Sequence, residues 1–312
     1  MKKFIMGTIF GIILCLITYV IADTIHSDEV LYDNSYSSSN TDNVQDALDG
    51  LYNIVDRVGS GFSLIANNTS GLSTELIGGL YRYQGVQDAN NNVDNYICFA
   101  TTDKNTCLSD TSKYMYRIIG VNTSGQIKLL KKEALPETYI WNNEYGADWP
   151  SSSLFAGLNG SYFLTNTTYV PDNTWSSRIA DANWYYITTT SNNTSTIAER
   201  ENDSSNPYVL AKVGLMSISD YASTLVTPDY SSSSWAFLLN NDSSYPKNVE
   251  WTMTRYNTKN GWRIISNGTI NSLDSIYDNM KRDYSVRPSF FLRSSETIAS
   301  GSGTITDPYV LN

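Results

Sequence analysis

The chain has 312 residues, a net charge of -10 and a pI of about 4.6, and only 17% of its residues are charged. An acidic exterior repels phosphate backbones, so the composition argues against nucleic acid as a partner. A hydrophobic fraction of 41% excludes a disordered chain and is sufficient for one large domain or two smaller ones.

An apolar segment opens the chain. Residues 4–22 carry no charged side chain and follow Lys2 and Lys3. As a helix, this segment would reach about 28 Å, close to the thickness of a bilayer core. The positive-inside rule then predicts a cytoplasmic N-terminus and an extracellular remainder, as in a single-pass membrane protein. Because small residues precede Asp23, cleavage near Ala22 and secretion are the alternative.

A short amphipathic helix is predicted after this leader. Val44, Leu48, Leu51 and Val55 are spaced four, three and four residues apart, which places them on one helical face. Two heptads are too few to distinguish a coiled coil from a helix that packs on its own domain. The predicted organisation is an anchor or signal peptide at 1–22, a stalk at 23–60, a linker at 61–79 and an extracellular head at 80–312.

Part of the predicted stalk is similar to known fibres. The sequence YDNS begins at Tyr32, and NVQDALD begins at Asn43. Together they resemble the stalk segments of phage tail fibres and bacterial surface fibres, in which YDNS precedes NVQDAIDEL. Gly50 stands where that pattern has glutamate. Because those stalks are trimeric, the resemblance implies a stalk and a homotrimer, and it implies nothing about a ligand.

Cys98 and Cys107 are the only cysteines beyond the leader. In an oxidising exterior they are predicted to form a disulfide, with free thiols as the alternative. A zinc site would need further nitrogen or sulfur ligands nearby, and the single histidine, His26, is distant in sequence. No metal site is predicted from the cysteines.

Short strands dominate the pattern from Leu80 onward. A hairpin is predicted with Gly125 in its turn, and Leu154, Phe155 and Leu158 predict a short helix that Gly160 ends. The polar stretch 191–206 is predicted to be a solvated loop, and Ser219 or Asp220 is expected to cap a later helical turn. The predicted class is α+β, with a β-rich head. Its strands are expected at 80–83, 96–99, 115–119, 126–130, 212–218, 250–255, 261–265, 284–292 and 309–311.

The C-terminal strands are similar to a known fold. Glu250-Trp251-Thr252 is followed by Trp262-Arg263-Ile264-Ile265 and by Val286-Arg287-Pro288. This order resembles the closing half of the formylglycine-generating-enzyme and C-type-lectin-like fold, where WEWT precedes an arginine-containing strand and a GFR strand. The RGGS step of that fold is replaced at 264–268. The resemblance implies a C-type-lectin-like head.

A second resemblance concerns the cell surface. Residues 81–130 and 285–311 look like a group of uncharacterised surface proteins from low-GC Gram-positive bacteria. Membership would imply a surface location but no reaction.

The sequence argues against an enzyme. A Ser-His or Cys-His arrangement would depend on His26, which directly follows the leader. Formylglycine-generating activity relies on cysteines near the C-terminal end, and none follows Cys107. The enzymatic alternative is a glycoside hydrolase that uses two carboxylates. Its candidates are Glu144, Asp148, Asp172 and Asp181.

Aromatic residues cluster in the middle of the chain, where their rings could stack on a sugar or anchor a protein. The competing interpretation is burial in the core, which is expected for Trp251 and Trp262. The sequence therefore favours non-catalytic recognition or adhesion with a glycan or protein ligand, and the alternative is a self-associating fibre or pilus-like component. The candidate ligand-binding residues are Trp149, Trp175, Trp184, Tyr185 and Tyr186.

No cofactor motif occurs in the sequence. The side chains of asparagine and aspartate beside these aromatic residues could supply oxygen ligands to Ca²⁺, although no specific calcium motif is present. The residues concerned are Asn142, Asn143, Asp172 and Asn173.

Overall fold

The computed structural model describes residues 60–66, 71–84, 93–191, 194–224, 249–265 and 276–312. All of them belong to one compact unit, Arg57–Asn312. The predicted anchor, the stalk helix with its fibre-like segment, and His26 lie outside the described residues.

In the part of the chain that the structure describes, no helix combines the length and the apolar character needed to cross a membrane.

A seven-stranded antiparallel sheet is the largest element of the fold. Its strands are β1 (Leu72–Ile77), β2 (Leu80–Tyr83), β3 (Tyr96–Cys98), β4 (Met115–Asn122), β5 (Ile127–Lys131), β9 (Val213–Gly214) and β14 (Ser289–Leu292). They are ordered β1-β2-β4-β5-β14-β9, and β3 pairs with β4 beyond the end of β2. We call this the main sheet. The predicted strands at its centre are confirmed.

The predicted hairpin connects β4 to β5. Gly125 has a φ of +77°, a conformation that favours glycine. The side-chain oxygen of Asn122 accepts hydrogen bonds from the backbone N–H groups of Ser124 and Gln126, which fixes the turn. All residues of β5 are buried, so both faces of this strand are covered. The hairpin therefore places its turn at the surface and its strands in the core.

Four smaller sheets accompany the main sheet among the described residues. The predicted strand 284–292 is divided between two different sheets. The residues Val286-Arg287-Pro288 belong to neither strand, and proline has no N–H to donate to a neighbouring strand. The three-stranded sheet contains β10 (Val249–Arg255), β11 (Asn260–Ile265) and β12 (Ile276–Asn279). The two-stranded sheets pair β6 (Tyr139–Ile140) with β13 (Asp283–Tyr284), β7 (Ala182–Tyr185) with β8 (Tyr208–Ala211), and β15 (Ile298–Ser300) with β16 (Val310–Leu311).

The helices are short, and side-chain caps begin several of them. Ser152 accepts from Phe155 N, and Asp172 accepts from Trp175 N, so each satisfies an otherwise free N–H at a helix start. The helix predicted around Leu154 is confirmed. The described helices are α1 (Ser60–Ala66), α2 (Lys104–Ser109), α3 (Thr111–Tyr114), α4 (Ser153–Leu158), α5 (Asn173–Arg178), α6 (Thr194–Glu201) and α7 (Ile218–Ala222), with a 3₁₀ helix at Trp149–Ser151.

Helix α6 corrects the prediction of a solvated loop at 191–206. Its apolar residues Ile197 and Ala198 are buried, whereas Glu199 and Arg200 are exposed. These two buried side chains are enough to pack a helix of two turns against the rest of the protein. Two apolar residues are too short a pattern to predict a helix from the sequence. Helix α6 packs against α7. The cap of α7 is Ser217, not Ser219, and Asp220 is the acidic partner in its capping box.

The fold class is mixed α and β with more strand than helix, as predicted. Trp251 and Trp262 are buried in the core, which confirms their predicted place. Aromatic rings fill much of the interior, since Phe290 contacts Phe99, Tyr116 and Phe163. The core thus lies against the main sheet.

Residues 61–79, predicted to be a linker, contain most of α1 and the whole of β1. Strand β1 pairs with β2, and the backbone N–H of Ser60 donates to the carbonyl of Glu296. The compact unit therefore includes described residues before Leu80.

The predicted disulfide between Cys98 and Cys107 is present, with an S–S distance of 2.15 Å. It joins the end of β3 to α2, and both cysteines are fully buried. The bridge closes a loop across a sequence separation of 9.

Replacing both cysteines by alanine is expected to lower the free energy of unfolding by about 2.7 kcal/mol, because the bridge restricts the unfolded chain across a loop of about ten residues. Urea unfolding with and without a reductant measures this loss. Reductant should bring the native protein down to the double variant and leave the variant unchanged. Equal midpoints for native protein and variant would contradict the expectation.

Candidate ligand-binding cavity

A cavity of about 530 Å³ opens beside the main sheet. Its walls come from the β1–β2 turn, the β4–β5 turn, strand β7, and the segments where α6 ends and α7 begins. This volume is in the range of small-molecule sites, roughly 300–1,000 Å³. We call it the cavity site.

Three buried charged side chains line the cavity site. Arg82 Nη1 lies 2.9 Å from Asp220 Oδ1, and Lys128 Nζ lies 2.6 Å from Asp220 Oδ2. The side chains of Arg82, Asp220 and Lys128 are only 3%, 4% and 7% exposed. We call these residues the charge cluster. Two cations thus share one carboxylate in a water-poor setting.

The fold brings the charge cluster together from distant parts of the chain. Arg82 lies on β2 and Lys128 on β5, two strands that both pair with β4. Asp220 lies in α7, where its carboxylate also accepts from the N–H of Ser217. A capping box therefore fixes the orientation of the carboxylate that holds both cations.

Electrostatics in the charge cluster favour the ion pairs. Burial alone would raise the pKa of Asp220, but the charges of Lys128 and Arg82 together hold this pKa well below its usual value. Burial lowers the pKa of Lys128, and the charge of Asp220 opposes that effect. Asp220 is therefore ionised at neutral pH and compensates the cations.

Glu201 adds a second carboxylate to the lining. It lies at the end of α6 and accepts hydrogen bonds from the backbone N–H groups of Ile218 and Ser219 and from the hydroxyl of Thr254. Burial raises the pKa of Glu201, whereas the hydrogen bonds from Thr254 and Ser219 act in the opposite direction. This side chain ties α6 to the start of α7.

Two of the predicted aromatic residues line the cavity site. Trp184 is 2% exposed, and its Nε1 donates to the carbonyl of Ala211. Lys128 Nζ lies 5.3 Å from its ring, within reach of a cation–π interaction. Tyr185 is half-buried and contacts the ring of Tyr208. Tyr185 is therefore the more accessible of the two rings.

The other predicted aromatic residues do not line the cavity site. Trp149 has no exposed surface and packs between Trp141 and Phe155. Trp175 is 9% exposed and contacts Phe99 in the core, and Tyr186 packs partly buried against the same core. A ring without exposed surface cannot stack on a sugar, so burial is the better interpretation of Trp149. The structure brings together only Trp184 and Tyr185 of this set.

The four predicted carboxylates occupy different places. Asp148 forms an ion pair with Arg255 at 2.8 Å, and Asp172 caps α5. Glu144 is exposed and is not part of the cavity lining, whereas the exposed Asp181 lines the cavity site. Only one of the four therefore lies at the cavity.

Two of the four suggested calcium ligands, Asn142 and Asp172, have local structural roles. The side-chain oxygen of Asn142 accepts from the N–H of Ser153, and Asp172 caps a helix. Among the described residues, no group of three or more His, Cys, Asp or Glu side chains is arranged to hold a metal ion.

Arg82, Lys128, Glu201 and Asp220 did not follow from the sequence reasoning. The sequence did contain one relevant pattern, a charged residue within an otherwise apolar strand, at Arg82 and at Lys128. A charge that is buried in this way needs a partner of opposite charge. The spacing of Ser217 and Asp220 also fits a capping box. Neither pattern identifies the partner, which comes from a distant segment.

Comparisons of the chain with models of protein families, with curated proteins and with solved structures found no match. The fibre-stalk and lectin-like resemblances therefore stay predictions. Function has to be argued from the geometry of the cavity site.

Proposed function

We propose that the protein is a membrane-tethered bacterial surface protein whose head recognises an extracellular glycan or protein, or mediates adhesion, without catalysis. The cavity site carries this proposal. It combines a concave shape, an aromatic wall at Trp184 and Tyr185, and a lining that is more polar than apolar, which suits a ligand rich in hydroxyl groups.

The chemistry of the wall suits a saccharide. The ring of Tyr185 offers an apolar face for the C–H groups of a sugar, and the exposed side chains of Asn183 and Asn202 offer hydrogen-bond donors and acceptors. The oxygens of Asp220 and Glu201 already accept hydrogen bonds within the protein. This engagement supports recognition in preference to hydrolysis by a carboxylate pair.

The surface location rests on the apolar leader at 4–22 and is consistent with the disulfide, which suits an oxidising compartment. We also propose that the head is C-type-lectin-like. The tryptophans of the resembling strands, Trp251 and Trp262, are core residues, as the resemblance implies. A homotrimer through the stalk is part of the same proposal.

Tyr185→Ala is expected to weaken binding at least fivefold, because it removes the accessible ring of the wall. The full-length oxidised protein in detergent is screened on a glycan array, and the affinity for the strongest hit is then measured for native protein and variant. Tyr145→Ala is the control, since Tyr145 is 46% exposed and does not line the cavity site. Equal losses in both variants would contradict a site at the cavity.

A self-associating fibre component is the second candidate, and one observation favours it. Tyr208 and Leu210 on β8 are 55% and 64% exposed, and within the described residues β8 pairs only with β7. An exposed apolar strand edge can pair with another chain. Sedimentation of the full-length protein distinguishes the candidates, because stable oligomers without any glycan binding would favour the fibre.

A further inference from the structure

We infer that the cavity site takes a compact acidic saccharide, such as a uronic acid, and that Arg82 binds its carboxylate. This inference rests on the proposed function, since it names the ligand class of the same site. The inference is carried by one N–H donor group of the charge cluster that has no acceptor among the described residues.

Arg82 has an unused charged donor. Its Nε donates to the carbonyl of Ile77 at 2.7 Å, and its Nη1 donates to Asp220 at 2.9 Å. No described residue accepts a hydrogen bond from Nη2, although Arg82 as a whole is only 2% exposed. Nη2 is not among the fully buried side-chain atoms that lack a partner, and Arg82 lines the cavity site, so an acceptor on a ligand can reach this donor.

The neighbouring carboxylate oxygens already accept hydrogen bonds within the protein and have little capacity left for a ligand. Asp220 Oδ1 accepts from Arg82, and Oδ2 accepts from both Lys128 and the N–H of Ser217. Glu201 Oε1 accepts from Ile218 N and from the Thr254 hydroxyl, and Oε2 accepts from Ser219 N. Among the charged side chains of the charge cluster and Glu201, the capacity left over is therefore that of a donor, and a ligand must bring the acceptor.

An anionic acceptor is the stronger partner for the free N–H groups of Arg82. Arg82 and Lys128 contribute two positive charges against one on Asp220. Glu201 and the exposed Asp181 add two further carboxylates to the lining, so the free donor at Nη2, and not the net charge of the cavity, favours an anionic acceptor. A carboxylate accepting from a guanidinium makes a stronger, charge-assisted hydrogen bond than a neutral hydroxyl does.

Gly78 keeps the approach to Arg82 open. A Cβ at this position would lie 3.1 Å from Arg82 Nη2 and 2.4 Å from Asn202 Oδ1. Gly78 also has a φ of +57°, so glycine suits both the turn and the gap. Asn202 is exposed and lines the cavity site, and its side-chain oxygen lies beside the same gap as Nη2.

The rest of the cavity site fits a sugar ring in size and polarity. Tyr185 and the 64% exposed Leu210 form an apolar edge beside the polar side chains of Asn183 and Thr123. A cavity of about 530 Å³ is within the range of small-molecule sites and admits a compact saccharide. The apolar edge suits the ring face, while the carboxylate points toward Arg82.

Calorimetry on the full-length protein tests the inference with pairs of methyl glycosides, glucuronate against glucose and galacturonate against galactose. We expect at least one acid to bind at least tenfold more tightly than its neutral counterpart. If both members of each pair bind equally, the inference is overturned and the proposed function stands. If neither these sugars nor the glycan array show binding, the inference and the glycan form of the proposed function both fail.

Two variants test the role assigned to Arg82. Arg82→Lys keeps the charge but removes the forked donor, and Asn202→Asp places a competing carboxylate at an exposed position near Nη2. Each should reduce the preference for the acid at least fivefold. Asn143→Asp adds the same charge at an exposed position outside the cavity lining and should leave the preference unchanged. A preference that survives in the folded Asn202→Asp protein overturns the assignment to Arg82.

Discussion

Arg287→Met is expected to lower the free energy of unfolding by about 3–5 kcal/mol, the usual cost of breaking a buried ion pair. Arg287 Nε donates to Glu250 Oε2 at 3.0 Å, and both side chains are about 99% buried, with exposures of 1% and 2%. The hydroxyl of Tyr221 donates to the other oxygen of Glu250. Methionine keeps most of the side-chain length, but it leaves the Glu250 carboxylate in the core without the guanidinium.

Urea unfolding of the variants measures this loss. The double variant Glu250→Gln with Arg287→Met should recover part of it, because the buried charge is then removed together with its partner. Arg293→Met is the control, since Arg293 is exposed, and it should change the unfolding free energy by less than about 0.5 kcal/mol. A double variant no more stable than Arg287→Met would show that the carboxylate is not the source of the cost.

Lys131→Met is expected to stabilise the protein near neutral pH by about 2 kcal/mol. Lys131 is fully buried, and burial lowers the pKa of its amine to about 8, although Glu133 and Asp110 oppose the effect. Relative to the unfolded chain, holding the charge costs about 3 kcal/mol. The lost hydrogen bond to the carbonyl of Ser112 offsets about 1 kcal/mol of the gain.

The pH dependence follows from the same pKa. Well below pH 8 the lysine is protonated in both states, so the full cost is present. Between pH 8 and about 10.4 the unfolded chain binds more protons, and stability therefore rises with pH. From pH 7.5 to 9.5 the native protein should gain about 2 kcal/mol relative to Lys131→Met.

Comparing the native protein with each variant removes the contributions of other groups that titrate. Lys259→Met provides the control, because Lys259 is exposed in the turn between β10 and β11. Its stability should follow that of the native protein across the pH range. A pH-independent difference between the native protein and Lys131→Met would show that the amine does not titrate as expected.

Local patterns in the sequence predicted the strands of the core well. Strand β2 matches its prediction residue for residue, and β4 and β10 begin within one residue of theirs. These runs combine aromatic and β-branched residues between polar turns, which favours strands regardless of the partner. Gly125 was predictable for a similar reason, since a hairpin turn requires its positive φ.

The cavity site was far less predictable. Arg82 and Asp220 are 138 residues apart in sequence, and only the fold places them in contact. The aromatic residues were also ambiguous, because Trp184 and Tyr185 are adjacent in the sequence, yet Trp184 is 2% exposed whereas Tyr185 is only half-buried. Burial depends on which sheet face a strand or helix meets, and this information is not local.

Helix α7 links the wall of the cavity site to the core. Asp220 holds the charge cluster, while the adjacent Tyr221 donates to Glu250 in the core. A five-residue helix cannot unwind at one of these residues and keep its hydrogen bonds at the other. Both clusters must therefore break together, so local unfolding of the cavity wall would require a cooperative opening that includes β10. Amide hydrogen exchange in α7 should accordingly be as slow as in the core strands.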